Sequence, residues 1–534
     1  MKVTSKNQRT DRFFKLSLIL SFFVFLFFIL KGITLPFVGP NATNFSVYSF
    51  IAHNLNQFGY IETWLAPVIS VSQTLPENPE YFFHHPTLLS FIISLFFRLF
   101  GEEFWVARLV VILFAFGSLG LTYKLGKEVV NTRFGVIAAS VMALIPATTV
   151  FGKMIGQEPL VLFFWLSSVY TSVLFLKTEK KLYLLVCLTS VFLGILSDWP
   201  MVYFTASLLP LYFFHQKKRE GLLVISFALL VLLGLLSYVY VLRNGFWYLS
   251  NAVAMRSFFG LTEIPFWPVR WFVLMLVRIA VYFNPIIVIL AIISFWSVLR
   301  NILKRKVGSY DLIVAGFFFF GVFHMLLYTQ ASFTHPYLIY YLLPFVVFAS
   351  SRYILALFER KQFVGLSLLI VFSAIYLLLI DAYKTNQVKV HLWRYEAIKQ
   401  VRMQLKPYET ILVNNWYALD TDIFWYPFLI NFRQVSQSEF GVHKMYDHYV
   451  FSCPYVCDPY NRELLRLKQT YHATYLKRPE VEVYVFDLKR KNTTPTVLPP
   501  VTGTVSPNQS SNISSSTVKN FYRKLRDFLY APQI

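Results

Sequence analysis

The sequence predicts an all-α polytopic membrane protein of about eleven spans, followed by an extracytoplasmic soluble domain of α/β type. Three observations carry this. Of 534 residues, 56% are hydrophobic and only 14% charged, against roughly 25% charged in an average soluble domain. The apolar residues come in runs of roughly 16 to 25, the length that crosses a bilayer as a helix. Basic residues gather in short loops between those runs, as in membrane proteins that keep Lys and Arg on the cytoplasmic side. The net charge of +22 is therefore read as orientation and contact with anionic membrane lipids, and nucleic acid is set aside as a partner.

The first run, 13–35, follows Lys2, Lys6, Arg9 and Arg12. It is long for a signal peptide and lacks a small-residue cleavage site, so a retained first helix with a cytoplasmic N-terminus is expected. Ten further spans are expected at 106–123, 135–150, 158–176, 182–197, 199–214, 221–242, 272–298, 311–328, 337–356 and 363–381. With that count, the basic clusters beginning at Lys124, Lys177, Lys217, Arg300 and Arg360 all fall on the cytoplasmic side. The run Leu88–Phe100 is short and interrupted by Arg98, which suits a helix lying at the interface. Counting it as a span would put Lys124 outside, so residues 36–105 are read as one large external loop.

These readings divide the chain into a transmembrane domain, 1–381, and an extracytoplasmic domain, 382–490, with strand-like stretches at Thr410–Val413 and 481–486. Residues 491–519 read as a disordered linker rich in Pro, Ser, Thr and Asn, and 520–534 as a basic amphipathic tail. The expected location is a bacterial-type plasma (inner) membrane, with the C-terminus outside. Cys187 lies in a span and suits packing. Cys453 and Cys457 lie outside, where a local disulfide is permitted and free thiols are the alternative.

Charged groups near hydrocarbon are costly and usually face a cavity where they have a task. Glu158 begins a helix with Pro159, and Lys153 precedes it by one short loop. A carboxylate is favoured at a helix N-terminus, so Glu158 is read either as a capping acid or as a cavity carboxylate that orients an acceptor or binds a cation. His84 and His85 precede Pro86, and histidine serves as base, metal ligand or phosphate donor. A divalent cation held by Glu158 and His85 is a candidate cofactor. Asp198, His335 and the aromatic segment 337–341 also stand at external span ends. Lys153, Arg243, Arg256 and Arg270 are candidates to meet a phosphate.

Over about residues 15–380 these segments, in their order, resemble membrane glycosyltransferases of the type C fold, in the branch of protein O-mannosyltransferases and the lipid A aminoarabinose transferase. The resemblance rests on the long first external loop, the Tyr-x-x-Ile-Ala-x-Asn element from Tyr48 to Asn54, His85-Pro86, Leu99-Phe100-Gly101, Ala107-Arg108-Leu109 and Glu158-Pro159. It implies a polyprenyl-phosphate-sugar donor, an envelope lipid, glycan or protein acceptor, and inversion at the anomeric carbon. Catalytic candidates are then Glu158, His84, His85 and Asn44, with Lys153, Tyr48, His335 and Arg256 toward the donor. The family carries an acidic pair just before the tyrosine element, where this chain has Asn44 and Phe45. An asparagine amide has no accessible proton-accepting pKa, which leaves the base to Glu158, His84 or His85, or activation to positioning. The other readings are an inactive relative or scaffold that binds cell-envelope glycans, and a transporter of lipid-linked substrates.

Overall fold

The computed structural model describes residues 3–39, 42–243, 247–257, 266–359, 363–414, 427–434, 446–454, 461–478 and 481–491. The expected linker and tail, 491–519 and 520–534, lie outside the described residues apart from Lys491. In chain order the helices are α1 (Val3–Leu30), α2 (Ala42–Phe58), α3 (Leu88–Phe100), α4 (Phe104–Val129), α5 (Thr132–Leu144), α6 (Pro146–Phe151), α7 (Glu158–Thr178), α8 (Lys181–Ser197), α9 (Met201–Ala206) and α10 (Leu209–Phe214). They continue with α11 (Lys218–Arg243), α12 (Trp247–Arg256), α13 (Trp267–Phe283), α14 (Pro285–Leu303), α15 (Ser309–Leu327), α16 (Thr329–Thr334), a 3-10 segment Pro336–Leu342, α17 (Leu343–Glu359) and α18 (Phe363–Arg402). The protein is a polytopic membrane protein. Among the described residues seven helices are long and apolar enough to cross a bilayer, and five shorter apolar helices accompany them.

The interruptions have local causes. The expected span 272–298 is in fact two helices, α13 and α14, broken at Asn284. Pro285 lacks an amide proton and disfavours the helical conformation in the residue before it. Asn284 takes φ +67°, and its Oδ1 caps α14 by accepting from the Ile286 amide at 3.1 Å. Pro146 ends the expected span 135–150 early, at Leu144, and 199–214 is two short helices, α9 and α10. Conversely α18 does not stop at 381 but runs on to Arg402. Helix α3 is the expected short element, with Leu89, Ile93 and Phe97 buried and Leu95, Leu99 and Phe100 exposed.

The described chain forms two compact units: one of residues 1–36, 51–70 and 74–388, the other of 37–50, 71–73 and 389–534. In the second unit a five-stranded mixed sheet has the order β2-β1-β3-β5-β4. Its strands are β1 (Thr410–Val413), β2 (Asn431–Gln434), β3 (His448–Pro454), β4 (Tyr471–Arg478) and β5 (Val481–Lys491). Strand β1 is parallel to β2 and β3, and β5 is antiparallel to β3 and β4. Helix α19 (Arg462–Thr470) contributes Leu464 and Leu467 to a core with Leu412, Tyr449, Phe451 and Phe486. Cys453 is disulfide-bonded, Cys187 is free and buried, and Cys457 lies outside the described residues.

In the helical unit, basic side chains secure the end of α1. A helix leaves its last carbonyls without intrahelical partners, and cations are favoured there. Lys153 donates to the carbonyls of Phe28 and Lys31, both at 3.0 Å, and Lys31 pairs with Asp381 of α18 at 2.6 Å. Arg108 of α4, buried, donates to the carbonyl of Ile33 at 2.7 Å and to those of Leu35 and Pro36. The Ala-Arg-Leu element thus ties down the turn that leaves α1. Replacing Arg108 by Met strands those carbonyls and should cost about 1–3 kcal/mol, read as a lowered thermal midpoint in detergent, with Arg108→Lys recovering part of the loss.

Candidate active site

The site is built where helices of the first unit stop. Glu158 is the first residue of α7 and is 7% exposed. Among the described residues its Oε2 accepts no hydrogen bond, and it lies within electrostatic reach of Asp198 and Arg256. A Cβ on Gly156 would stand 2.4 Å from that oxygen, so a glycine there leaves room for the carboxylate. Both side-chain polar atoms of Gln157 and the hydroxyl of Tyr340 are likewise buried without partners among the described residues, and Tyr340 is in electrostatic reach of Glu158. A buried polar atom without a partner costs about 1–3 kcal/mol, so such groups call for a ligand that satisfies them.

Asp198 ends α8 and is 5% exposed. Its Oδ1 accepts from His85 Nδ1 at 2.8 Å and from the Trp199 amide at 2.9 Å. Trp199 Nε1 in turn donates to the His84 carbonyl at 3.0 Å. The His84-His85 segment is thereby laid across the break between α8 and α9. Arg256, the last residue of α12, donates from Nη2 to His84 Nδ1 at 3.0 Å. Burial first, then the Arg256 guanidinium and His85, push the His84 imidazole down to about 3. His84 is therefore neutral at physiological pH, and because its Nδ1 accepts, its proton sits on Nε2. The two adjacent histidines are divided, one toward a carboxylate and one toward an arginine.

The chemical capacity follows. A buried carboxylate with an open oxygen can hold and deprotonate a hydroxyl or amine. A guanidinium with a neutral imidazole donor beside it can hold a phosphate. Among the described residues no group of three or more His, Cys, Asp or Glu side chains is placed to hold a metal ion.

The protein family model for dolichyl-phosphate-mannose-protein mannosyltransferases matches residues 84–244, the stretch that carries His84, His85, Glu158 and Asp198. Among curated proteins none matches the chain by sequence. The solved structures similar to it include ArnT from Cupriavidus metallidurans bound to undecaprenyl phosphate, at 13% identity and a TM-score of 0.58, covering 88% of this chain and 97% of that one. They also include the archaeal oligosaccharyltransferase AglB from Archaeoglobus fulgidus in complex with an inhibitory peptide and a dolichol-phosphate, at 13% identity and a TM-score of 0.53, covering 89% and 74%. The chain has the type C glycosyltransferase fold.

Within this type C fold the remaining candidates are distributed as follows. Lys153 stands in the loop before α7 on the carbonyls that end α1, with Asp381 Oδ1 at 4.0 Å. Burial lowers it to about 8, against the pull of Asp381 and with Arg108 and Lys31 adding to the fall. His335 is exposed at the end of α16, stacked on Tyr337 and within electrostatic reach of Arg256 and Arg278. Arg278 holds that turn by donating to the carbonyls of Ser332 and Phe333. Asn44 and Tyr48 lie in α2, half-buried and buried respectively, on the part of the helix that belongs to the second unit. The side chain of Arg243 lies outside the described residues.

Asp198 is the residue that sequence reasoning undervalued. It reads only as one polar group among several at span ends, yet it bonds His85 and lies within reach of Glu158. The signal was an acid closing an apolar run, where ionisable groups are rare and functional. Gln157, Tyr340 and the Tyr203–His324 hydrogen bond carry no sequence signal of that kind. If Asp198 and His85 hold the loop together, Asp198→Ala and His85→Ala should couple by about 0.5–3 kcal/mol in a double-variant cycle. Thermal unfolding of the purified protein measures this, and strictly additive losses would show the pair to be incidental.

Proposed function

We propose that this chain transfers a sugar from a polyprenyl-phosphate-sugar donor to a lipid, glycan or protein acceptor on the extracytoplasmic face of a plasma membrane. The observation that carries this is the open, buried Glu158 carboxylate beside Asp198 and Arg256 in a chain of the type C fold. Undecaprenyl phosphate and a dolichol-phosphate bound to the two structural relatives support the class of carrier. The eleven-span topology, with N-terminus inside and C-terminus outside, belongs to the same reading, because it collects the basic loops on one side.

The acceptor hydroxyl or amine attacks the anomeric carbon. The bond from that carbon to the phosphate oxygen breaks, and its electron pair leaves with polyprenyl phosphate. The acceptor's proton passes to Glu158 Oε2. Polyprenyl phosphate is already a good leaving group, so the work is to position the acceptor in line and to balance developing charge. Arg256 and the Nε2–H of His84 are assigned to the phosphate, with Lys153 adding charge. Asp198 and His85 hold the loop that presents His84.

Glu158→Gln keeps the size of the side chain and removes the proton acceptor. It should lower kcat by about 10²- to 10⁴-fold, with an unchanged yield of folded protein, in an assay that follows labelled sugar from lipid phosphate to acceptor. Transfer near the normal rate would move the base elsewhere. If Lys153 contributes charge to the carrier phosphate, the pH dependence has a definite sign. A lysine is charged below its pKa and neutral above it, so donor KM should rise as pH passes upward through about 8. In Lys153→Arg, where the charge persists, donor KM should stay flat over the same range.

A further inference from the structure

The loop between α2 and α3 carries a group of apolar side chains that the proposed chemistry does not use. Ile61 is 85% exposed, Trp64 67% and Leu65 42%. Their backbone is locked in a compact turn, with the Thr63 amide bonded to the Gly59 carbonyl and the Leu65 amide to the Tyr60 carbonyl. Trp64 and Leu65 both take positive φ, 55° and 56°, a conformation that bulky L-residues avoid. A tight turn that holds three large apolar side chains outward, through strained backbone, points to a surface that receives them.

The position of this turn names the surface. Beneath it Phe58, Ala66, Val68 and Phe83 pack on Val239 of α11, with Tyr238 and Leu242 beside them, and the Tyr238 hydroxyl donates to the Trp64 carbonyl at 2.8 Å. Helix α11 is a membrane span whose flank is exposed along Leu222, Leu229, Leu230 and Leu233. It opens on Lys218 and Arg219, which mark one membrane edge. At about 1.5 Å per residue the rise from Arg219 to Tyr238 is roughly 30 Å, the thickness of the hydrocarbon core. Tyr238 thus stands at the opposite edge, and Tyr240 and Val241, 48% and 70% exposed, continue the same apolar surface. Trp and Tyr concentrate at that level because their rings suit the boundary between acyl chains and headgroups.

We propose that residues 61–65 form a finger that inserts into the headgroup and acyl boundary of the leaflet on the loop's own side, with Trp64 and Ile61 as its anchors. The occupant is the lipid bilayer itself, continuous with the lipid-facing flank of α11. The finger fixes the height of the loop that carries His84 and His85 relative to the membrane surface.

The full-length protein in nanodiscs of phosphatidylcholine and phosphatidylglycerol tests this, with a spin label at Ile61→Cys and, separately, at Trp64→Cys. Cys187 is buried and Cys453 disulfide-bonded. Labels at Leu230→Cys and Glu77→Cys provide lipid-facing and aqueous references. Accessibility to oxygen relative to a water-soluble nickel chelate at position 61 should be several-fold above that at 77 and approach that at 230. A ratio equal to that at Glu77→Cys would overturn the proposal, and so would protection from both reagents, which would mean a protein partner or a second copy covers the turn. Ile61 is nearly fully exposed, so its replacement gives a reading even if Trp64→Cys disturbs the turn. None of these outcomes depends on sugar transfer.

Discussion

A backbone inside a bilayer has no water to bond, so every amide and carbonyl must find its partner within the protein, and helices satisfy that demand best. Wherever a helix is broken, the freed groups must be met by side chains, and polar chemistry collects there. This constraint organises the helical unit. Pro146, Pro159, Pro200, Pro285 and Pro336 all stand at helix starts or breaks. Glu158 and His335 directly precede two of them, and Asp198 stands two residues before a third. The end of α1 is met by Lys153 and Arg108, and the break at Asn284 is capped by its own side chain. The candidate site is what several such interruptions leave when they fall near one another.

Its electrostatic balance is internal. Two buried carboxylates, Glu158 and Asp198, stand within electrostatic reach of each other, Arg256 offsets Glu158, and burial together with Arg256 holds His84 neutral. Asp198 Oδ1 accepts from His85 and from the Trp199 amide, whereas Glu158 Oε2 has no partner among the described residues. Two carboxylates are therefore set apart by their hydrogen bonding, one bracing the His84-His85 segment and the other keeping an oxygen open, to which the proposed mechanism assigns the proton transfer. A like division holds for the histidines, with His85 braced by a carboxylate and His84 turned into a neutral donor by burial and a neighbouring guanidinium. The proposed sugar transfer needs little beyond this, because leaving-group chemistry is built into the donor.

Asn44 stands where the family that the chain resembles carries an acid, and an amide cannot take a proton; the proposed mechanism assigns that task to Glu158. A common site for Glu158 and one of the two histidines is part of the proposed mechanism; in the structure His85 is linked to Asp198, and Asp198 lies in electrostatic reach of Glu158. The histidine closest to that link is held by a carboxylate, and the one beside it by Arg256.

The sequence by itself determined membrane insertion, the short helix Leu88–Phe100, the strands at Thr410–Val413 and from Val481, and the helix-starting position of Glu158. All follow from local rules: apolar run length, proline chemistry and strand alternation act within a few residues. It misjudged the span at 272–298, because hydropathy averages across Asn284-Pro285 while hydrogen bonding does not. It drew the last span to 381, where polarity rises, while the helix itself runs on to Arg402, because polarity marks where a helix leaves hydrocarbon and not where it stops. Only the tertiary structure decided that Asp198, more than one hundred residues beyond His85, is its partner, that Arg256 is the neighbour of His84, and that Lys153 rests on the end of α1. Those pairings depend on which helix breaks pack together, and that is a property of the whole bundle rather than of any segment in it.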